Sequence, residues 1–152
     1  MRVTNNEAIW WIPGNVPSLK NSKIKTSRGI FPSKTVVNYL RSLNIQGYNA
    51  SKKFVKGYKD INKPNLFLHN LNDFPKITIS EYPIILQFHF IRKTKAEFDF
   101  NNANQILLDL MTAHNLIVND SMKYVLPFPL KMKDKYYNVD KNNPGVYIEL
   151  IY

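Results

Sequence analysis

Residues 97–124, EFDFNNANQILLDLMTAHNLIVNDSMKY, decide how the rest of the chain is read. The segment opens on an acidic strand end at Glu97–Phe100, continues as an amphipathic helix, and closes on a second acid, Asp120, in the turn beyond. Ala103, Ile106, Leu107, Leu110 and Met111 recur at helical spacing and supply a buried face. Asn101 or Asn102 can cap the helix start, and His114-Asn115 ends it. Asp109 lies ten positions after Asp99, and Asp120 eleven after Asp109, so strand end, helix and turn each contribute one carboxylate. That layout can bring acids from distant positions to one hard divalent cation, which prefers oxygen ligands and commonly takes one or two carboxylates plus water. Glu97 shares a face with Asp99 if the strand persists. Ordinary structural roles explain the same acids: Asp99 beside a helix N-terminus, Asp120 in a turn, Asp109 hydrogen-bonded at the edge of the buried face.

Upstream, Tyr82–Ile91 (YPIILQFHFI) is dense in β-formers and reads as a strand. Arg92, Lys93 and Lys95 follow as a basic turn. Lys63–Glu81 reads as a long connection with a short strand or turn. Near the start, Ala8–Ile12 is a strand ended by Pro13-Gly14. Asn15–Arg28 is a polar loop carrying Lys20, Lys23 and Lys25, either solvated or a phosphate-contacting arm. Ser33 caps a helix whose stripe is Val36, Val37, Leu40 and Leu43, and Ser51–Lys59 continues as a second helical segment with a lysine face. Downstream, Tyr124–Pro129 is apolar but broken by proline, Lys131–Asn143 is a charged hairpin loop, and Gly145–Tyr152 closes the chain as a strand. The order implies an α+β domain: a small mixed sheet with helices packed on one face.

Composition bounds the function. At 152 residues the chain is expected to form a single domain over residues 1–152. Twenty-one Lys and Arg stand against 11 Asp and Glu, for a net charge of +10. That excess attracts phosphate and nucleic acid. There is no cysteine, which excludes disulfides and thiolate chemistry and fits the cytoplasm. No apolar run approaches the roughly 20 residues needed to span a bilayer. His69, His89 and His114 form no spaced pair, so a histidine zinc site has no support. Neither a serine-nucleophile elbow nor a Gly-rich phosphate loop is present.

Taken together, these segments resemble the RusA family of Holliday junction resolvases. The family's core motif is DxDNxxKxxxD, followed after a helix by an acid pair. The register here is Asp99-Phe100-Asn101-Asn102-Ala103-Asn104-Gln105, then Asp109, then Asn119-Asp120. The flanks Ile12–Lys23 (IPGNVPSLKNSK) and Asn143–Ile151 (NPGVYIELI) look like the family's N-terminal strand with its basic loop and its closing strand. The resemblance implies a RusA-like fold and a homodimeric, metal-dependent endonuclease, commonly phage- or prophage-encoded and acting in the bacterial cytoplasm. Its substrate would be branched DNA, cut in recombination and repair. Mg²⁺, or Mn²⁺ in its place, would be the cofactor, with no small-molecule cofactor and no membrane. Asp99, Asn101, Gln105 and Asp120 fall at the catalytic positions. Asp99, Asn101 and Asp120 would hold the metal, and Asn102 and Asp109 would support them. Lys20, Lys23, Lys25, Arg92, Lys93 and Lys95 would hold backbone phosphates. Three positions depart from the motif: Asn101 and Asn119 replace acids, and Gln105 replaces a lysine associated with catalysis. An amide carries no charge for the ion and accepts no proton. A descendant that binds branched DNA, or a recombination partner, without cutting is therefore the alternative.

Overall fold

Ile84, Leu86, Phe88, Phe90 and Arg92 are the alternate, buried positions of the strand Ile84–Arg92, which is paired on both edges and so lies inside the sheet. In this computed structural model, residues 8–18, 23–27, 29–45 and 64–151 are described. The helical segment expected at Ser51–Lys59 lies outside them, as does Lys20. In chain order the elements are β1 (Ile9–Pro13), β2 (Lys23–Thr26), β3 (Gly29–Pro32), α1 (Lys34–Ser42), α2 (Leu66–Asn70), β4 (Ile84–Arg92), α3 (Phe100–Ala113), β5 (Val125–Pro129), β6 (Tyr137–Val139) and β7 (Gly145–Ile151). A short 3₁₀ turn, Ile79–Glu81, precedes β4.

The main sheet runs β1-β7-β4, and β4's other edge is shared by β5 and β6. β7 pairs antiparallel with both β1 and β4. β5 pairs parallel with residues 84–88 of β4, and β6 pairs parallel with residues 90–92. Parallel neighbours need a crossover of a dozen or more residues; the 14-residue α3 supplies it between β4 and β5. β2 and β3 form a separate hairpin.

One face of the sheet is apolar, because residues in register share a face and alternate with the other. Trp10 and Ile12 of β1, Val146 and Ile148 of β7, and Phe88 and Phe90 of β4 lie in that register and are buried. The same core takes Val36 and Leu40 from α1, Phe67 from α2, and Ala103, Leu107, Leu110 and Met111 from α3. The fold is therefore α+β with a five-stranded mixed sheet, as composition and pattern implied. No helix among the described residues is long and apolar enough to cross a membrane.

Five local readings are refined. Glu97–Phe100 does not resume a strand: Asp99 is the N-cap of α3, with extended backbone, in the place expected for Asn101 or Asn102. Aspartate disfavours strands but satisfies the orphan N–H groups of a helix start. Tyr124–Pro129 forms β5 despite Pro127 and Pro129. β4 is its sole pairing partner among the described residues, and an edge strand tolerates residues that cannot donate. The expected loop at Lys131–Asn143 contains β6, and the polar loop at Asn15–Arg28 contains β2. Within the connection at Lys63–Glu81, Asn65 caps α2 by accepting from Leu68 N at 3.1 Å, in a helix too short for periodicity to reveal.

Candidate functional site

The site is built on α3. Leu107, Leu110 and Met111 anchor the helix in the core, which turns Asn101 and Gln105 outward to solvent. At the helix start, Asp99 Oδ1 accepts from the backbone N–H of Asn101 at 2.9 Å and of Asn102 at 3.4 Å. One oxygen of the expected first metal ligand thus has a defined structural role, and the carboxylate also opposes the positive end of the helix dipole.

Higher on the helix, Gln105 draws two acids together. Its Nε2 donates to Asp109 Oδ1 at 2.8 Å and to Asp120 Oδ2 at 2.5 Å. Gln105 and Asp109 are four residues apart, so they are neighbours on one helix face. Asp120 comes from the turn after the helix, fifteen residues beyond Gln105. That turn returns because Asn115 adopts the left-handed conformation (φ 59°), after which Leu116 N bonds back to Met111 O at 2.9 Å. Ser121 N then bonds Asn119 Oδ1 at 2.9 Å, an Asx turn that sets Asp120 beside α3. Asn119, at the position of a motif acid, therefore shapes the turn. At 1.5 Å rise per residue, Asp99 lies about 9 Å along the axis from Gln105. The structure joins Asp109 with Asp120 through Gln105 and holds Asp99 at the cap.

The donor chemistry bears on the expected cation. Among the described residues, no group of three His, Cys, Asp or Glu side chains is placed to hold a metal. A pair of carboxylates converging from helix and turn fits a hard cation that keeps most of its water, and does not fit a compact acid cluster. Asp109, expected in a supporting role, is in this pair. Glu97 is exposed in the irregular segment before the helix.

The basic residues divide. Lys93 and Lys95 are exposed, in the irregular segment that leads to Asp99. Arg92 does not belong with them. It is only 9% exposed; its guanidinium donates to the Val16 carbonyl and, at 3.2 Å, to Ser18 Oγ. It also covers the Phe98 ring at 4.7 Å. Burial pushes its pKa down from the ordinary arginine value. Arg92 lies on the core face of β4, so it pins the Val16–Ser18 segment and does not face a phosphate. Lys23 and Lys25 lie in β2.

Three further polar groups were not singled out by spacing. Asn104 is 4% exposed on α3, and its Nδ2 has no hydrogen-bond partner among the described residues. Its only sequence signal is a polar residue three and four places before Leu107 and Leu108. His114 ends α3: Nδ1–H donates to Leu110 O at 2.8 Å, and Nε2 accepts from Asn65 Nδ2 at 2.9 Å. His89, fully buried in β4, donates from Nδ1 to Leu130 O at 2.7 Å and accepts at Nε2 from Asn138 Nδ2 at 2.8 Å. A carbonyl can only accept, so the tautomer follows in both cases. His89 thereby fastens β6 and the chain before it to β4. Compared with protein-family models, curated proteins and solved structures, the chain gives no match.

Proposed function

We propose that this chain is a divergent, metal-dependent endonuclease acting on branched DNA, with a RusA-like fold. The observation that carries the reading is the convergence of Gln105, Asp109 and Asp120 at one amide nitrogen. These residues occupy three positions of the motif: Gln105 and Asp109 are neighbours on one helix face, and Asp120 joins them from fifteen residues beyond Gln105. In this reading Asp109 and Asp120 would hold Mg²⁺ or Mn²⁺, with Asp99 and Asn101 at the helix start; the chemistry such an ion would supply there is activation of a water and neutralisation of charge on the phosphodiester. Gln105 orients both carboxylates. Lys93 and Lys95 position the DNA through its phosphates, without reading sequence. The net charge of +10 supports the same class of partner. A homodimer would present two such sites to opposite arms of a junction.

The same amide favours a second reading, binding without cutting. Both N–H groups of Gln105 face carboxylates, so the position where the motif has a lysine offers a phosphate no positive charge. A nicking assay on a synthetic four-way junction separates the two. Cleavage with Mg²⁺ or Mn²⁺ that falls at least about tenfold in Asp120→Asn supports the first reading; ligand-supporting contacts alone are worth 10- to 100-fold. Cleavage that survives both Asp120→Asn and Asp99→Asn removes the site. Junction binding with no cleavage at any metal concentration establishes the second reading.

A further inference from the structure

The segment Lys131–Tyr137, at the outer edge of the sheet, combines features that the endonuclease reading does not use. Among the described residues, the exposed large aromatic side chains are Phe128, Tyr136 and Tyr137, and all fall within the ten positions 128–137 of this edge. Tyr136 is 57% exposed and Tyr137 48%. Lys131, Lys133 and Lys135 alternate through the same stretch and are exposed as well. Exposed rings interleaved with cations are what a single nucleic-acid strand requires: π-faces for its bases and positive charge for its backbone.

The turn that carries these side chains is closed by backbone pairing. Met132 and Lys135 exchange two backbone hydrogen bonds of 2.8 and 3.0 Å. They enclose Lys133 and Asp134, both left-handed with φ of 47° and 65°. A two-residue turn of this hand favours Asn or Gly, and a lysine there is strained. The strain sets a cation at the tip of the turn. Lys131 Nζ lies 5.8 Å from the centre of the Tyr136 ring and 4.0 Å from Asp134. Tyr137 is in register with Phe90 of β4, and its ring meets Phe98 edge-on at 5.0 Å. Phe98 in turn lies under Arg92 and precedes Asp99, the cap of α3. The exposed ring is thus one packed side chain away from the residue next to Asp99, at the helix-cap end of the candidate site.

We propose that Lys131–Tyr137 is a binding platform for unpaired nucleotides, on which Tyr136 and Tyr137 stack bases and Lys131, Lys133 and Lys135 hold the adjoining phosphates. The inference rests on the branched-DNA reading for the source of the unpaired strand, since the platform lies beside that site. Duplex DNA offers its phosphates to the lysines but keeps its bases stacked inside, so the rings discriminate in favour of single strands.

The test is fluorescence anisotropy of the full chain with a labelled oligothymidylate and with a duplex of equal length. Tyr136→Ala combined with Tyr137→Ala is expected to weaken single-strand binding at least about tenfold and to leave duplex binding nearly unchanged. Replacing both tyrosines by phenylalanine keeps the rings and is expected to retain binding. Lys131→Gln, Lys133→Gln and Lys135→Gln together are expected to flatten the dependence of log affinity on log salt by about 2. The platform is overturned if the alanine pair binds oligothymidylate as the wild type does, if it loses single-strand and duplex binding equally, or if the folded phenylalanine pair loses binding. Unchanged DNA binding with a change of sedimentation from dimer to monomer also overturns it, and assigns the edge to contact between copies. Junction nicking reads the other claim separately. Cleavage without single-strand preference leaves the endonuclease reading and removes the platform, whereas single-strand binding lost in the alanine pair, with no cleavage by the wild type, does the reverse.

Discussion

Gln105→Leu removes both hydrogen bonds of the bridge, one to Asp109 on α3 itself and one that ties Asp120's turn to the helix. Hydrogen bonds to charged groups contribute about 1.5–3 kcal/mol each when shielded. Here Gln105 is exposed and both carboxylates are half-buried, so water replaces much of what is lost. About 0.5–1 kcal/mol per bond is the expectation, or about 1–2 kcal/mol in all. For a chain of this size that lowers Tm by about 3–6 °C. Urea unfolding followed through the fluorescence of Trp10, buried in the core, and its neighbour Trp11 measures the free energy directly. Gln105→Glu is the informative partner variant. It places a third carboxylate against two others, and is expected to be less stable than Gln105→Leu at low salt. Millimolar Mg²⁺ is expected to restore that loss, because binding to the folded state alone stabilises it by mass action. Gln105→Leu within about 0.3 kcal/mol of wild type, less than a single exposed bond is worth, would refute the bridge. Equal stability of the Leu and Glu variants with no response to Mg²⁺ would show that the two acids do not meet.

Two further predictions concern the scaffold. A Cβ at Gly145 would come within 2.3 Å of the Trp11 ring and 2.6 Å of the Ile12 carbonyl, so Gly145→Ala should part β1 from β7 and cost about 1–3 kcal/mol or more, read by urea unfolding. Tyr39 is buried, its hydroxyl has no partner among the described residues, and burial raises its pKa. The unfolded tyrosine ionises near pH 10 while the folded one stays protonated, so the unfolded state binds fewer protons and stability falls as pH rises above about 10. Tyr39→Phe is expected to be neutral or stabilising at pH 7 and to show a shallower alkaline loss in a pH series of unfolding curves.

Long periodic segments were legible in the sequence. β4, β7 and α3 appear where apolar alternation or helical spacing placed them, and Ser33 caps α1 through the bond from Val36 N to its Oγ at 3.3 Å. What escaped was decided by neighbours. β5 and β6 each owe their strand character to a row of groups on β4, which no local pattern in VLPFP or YNV announces. Within the site, the register tied Gln105, Asp109 and Asp120 to one motif, and the structure brings them together. It could not show that Asp99 would serve as a cap, since the same side chain suits a strand end or a helix start. Nor could it show that Arg92 faces inward. Arginine is ordinarily a surface residue, and the Val16 carbonyl that receives it stands 76 positions away.

The divided outer edge of the sheet has a consequence for solubility. An unbroken edge strand exposes a continuous row of N–H and C=O groups, onto which another molecule can add a strand. Here that row belongs to two short segments, with a lysine-tipped turn between them and prolines at 127 and 129 that have no N–H to offer. A chain arriving in extended form would find five residues of pairing at most before its ladder failed. The protein can therefore carry Phe128, Tyr136, Tyr137 and Val139 in the open at one border without presenting a template for fibrous self-assembly.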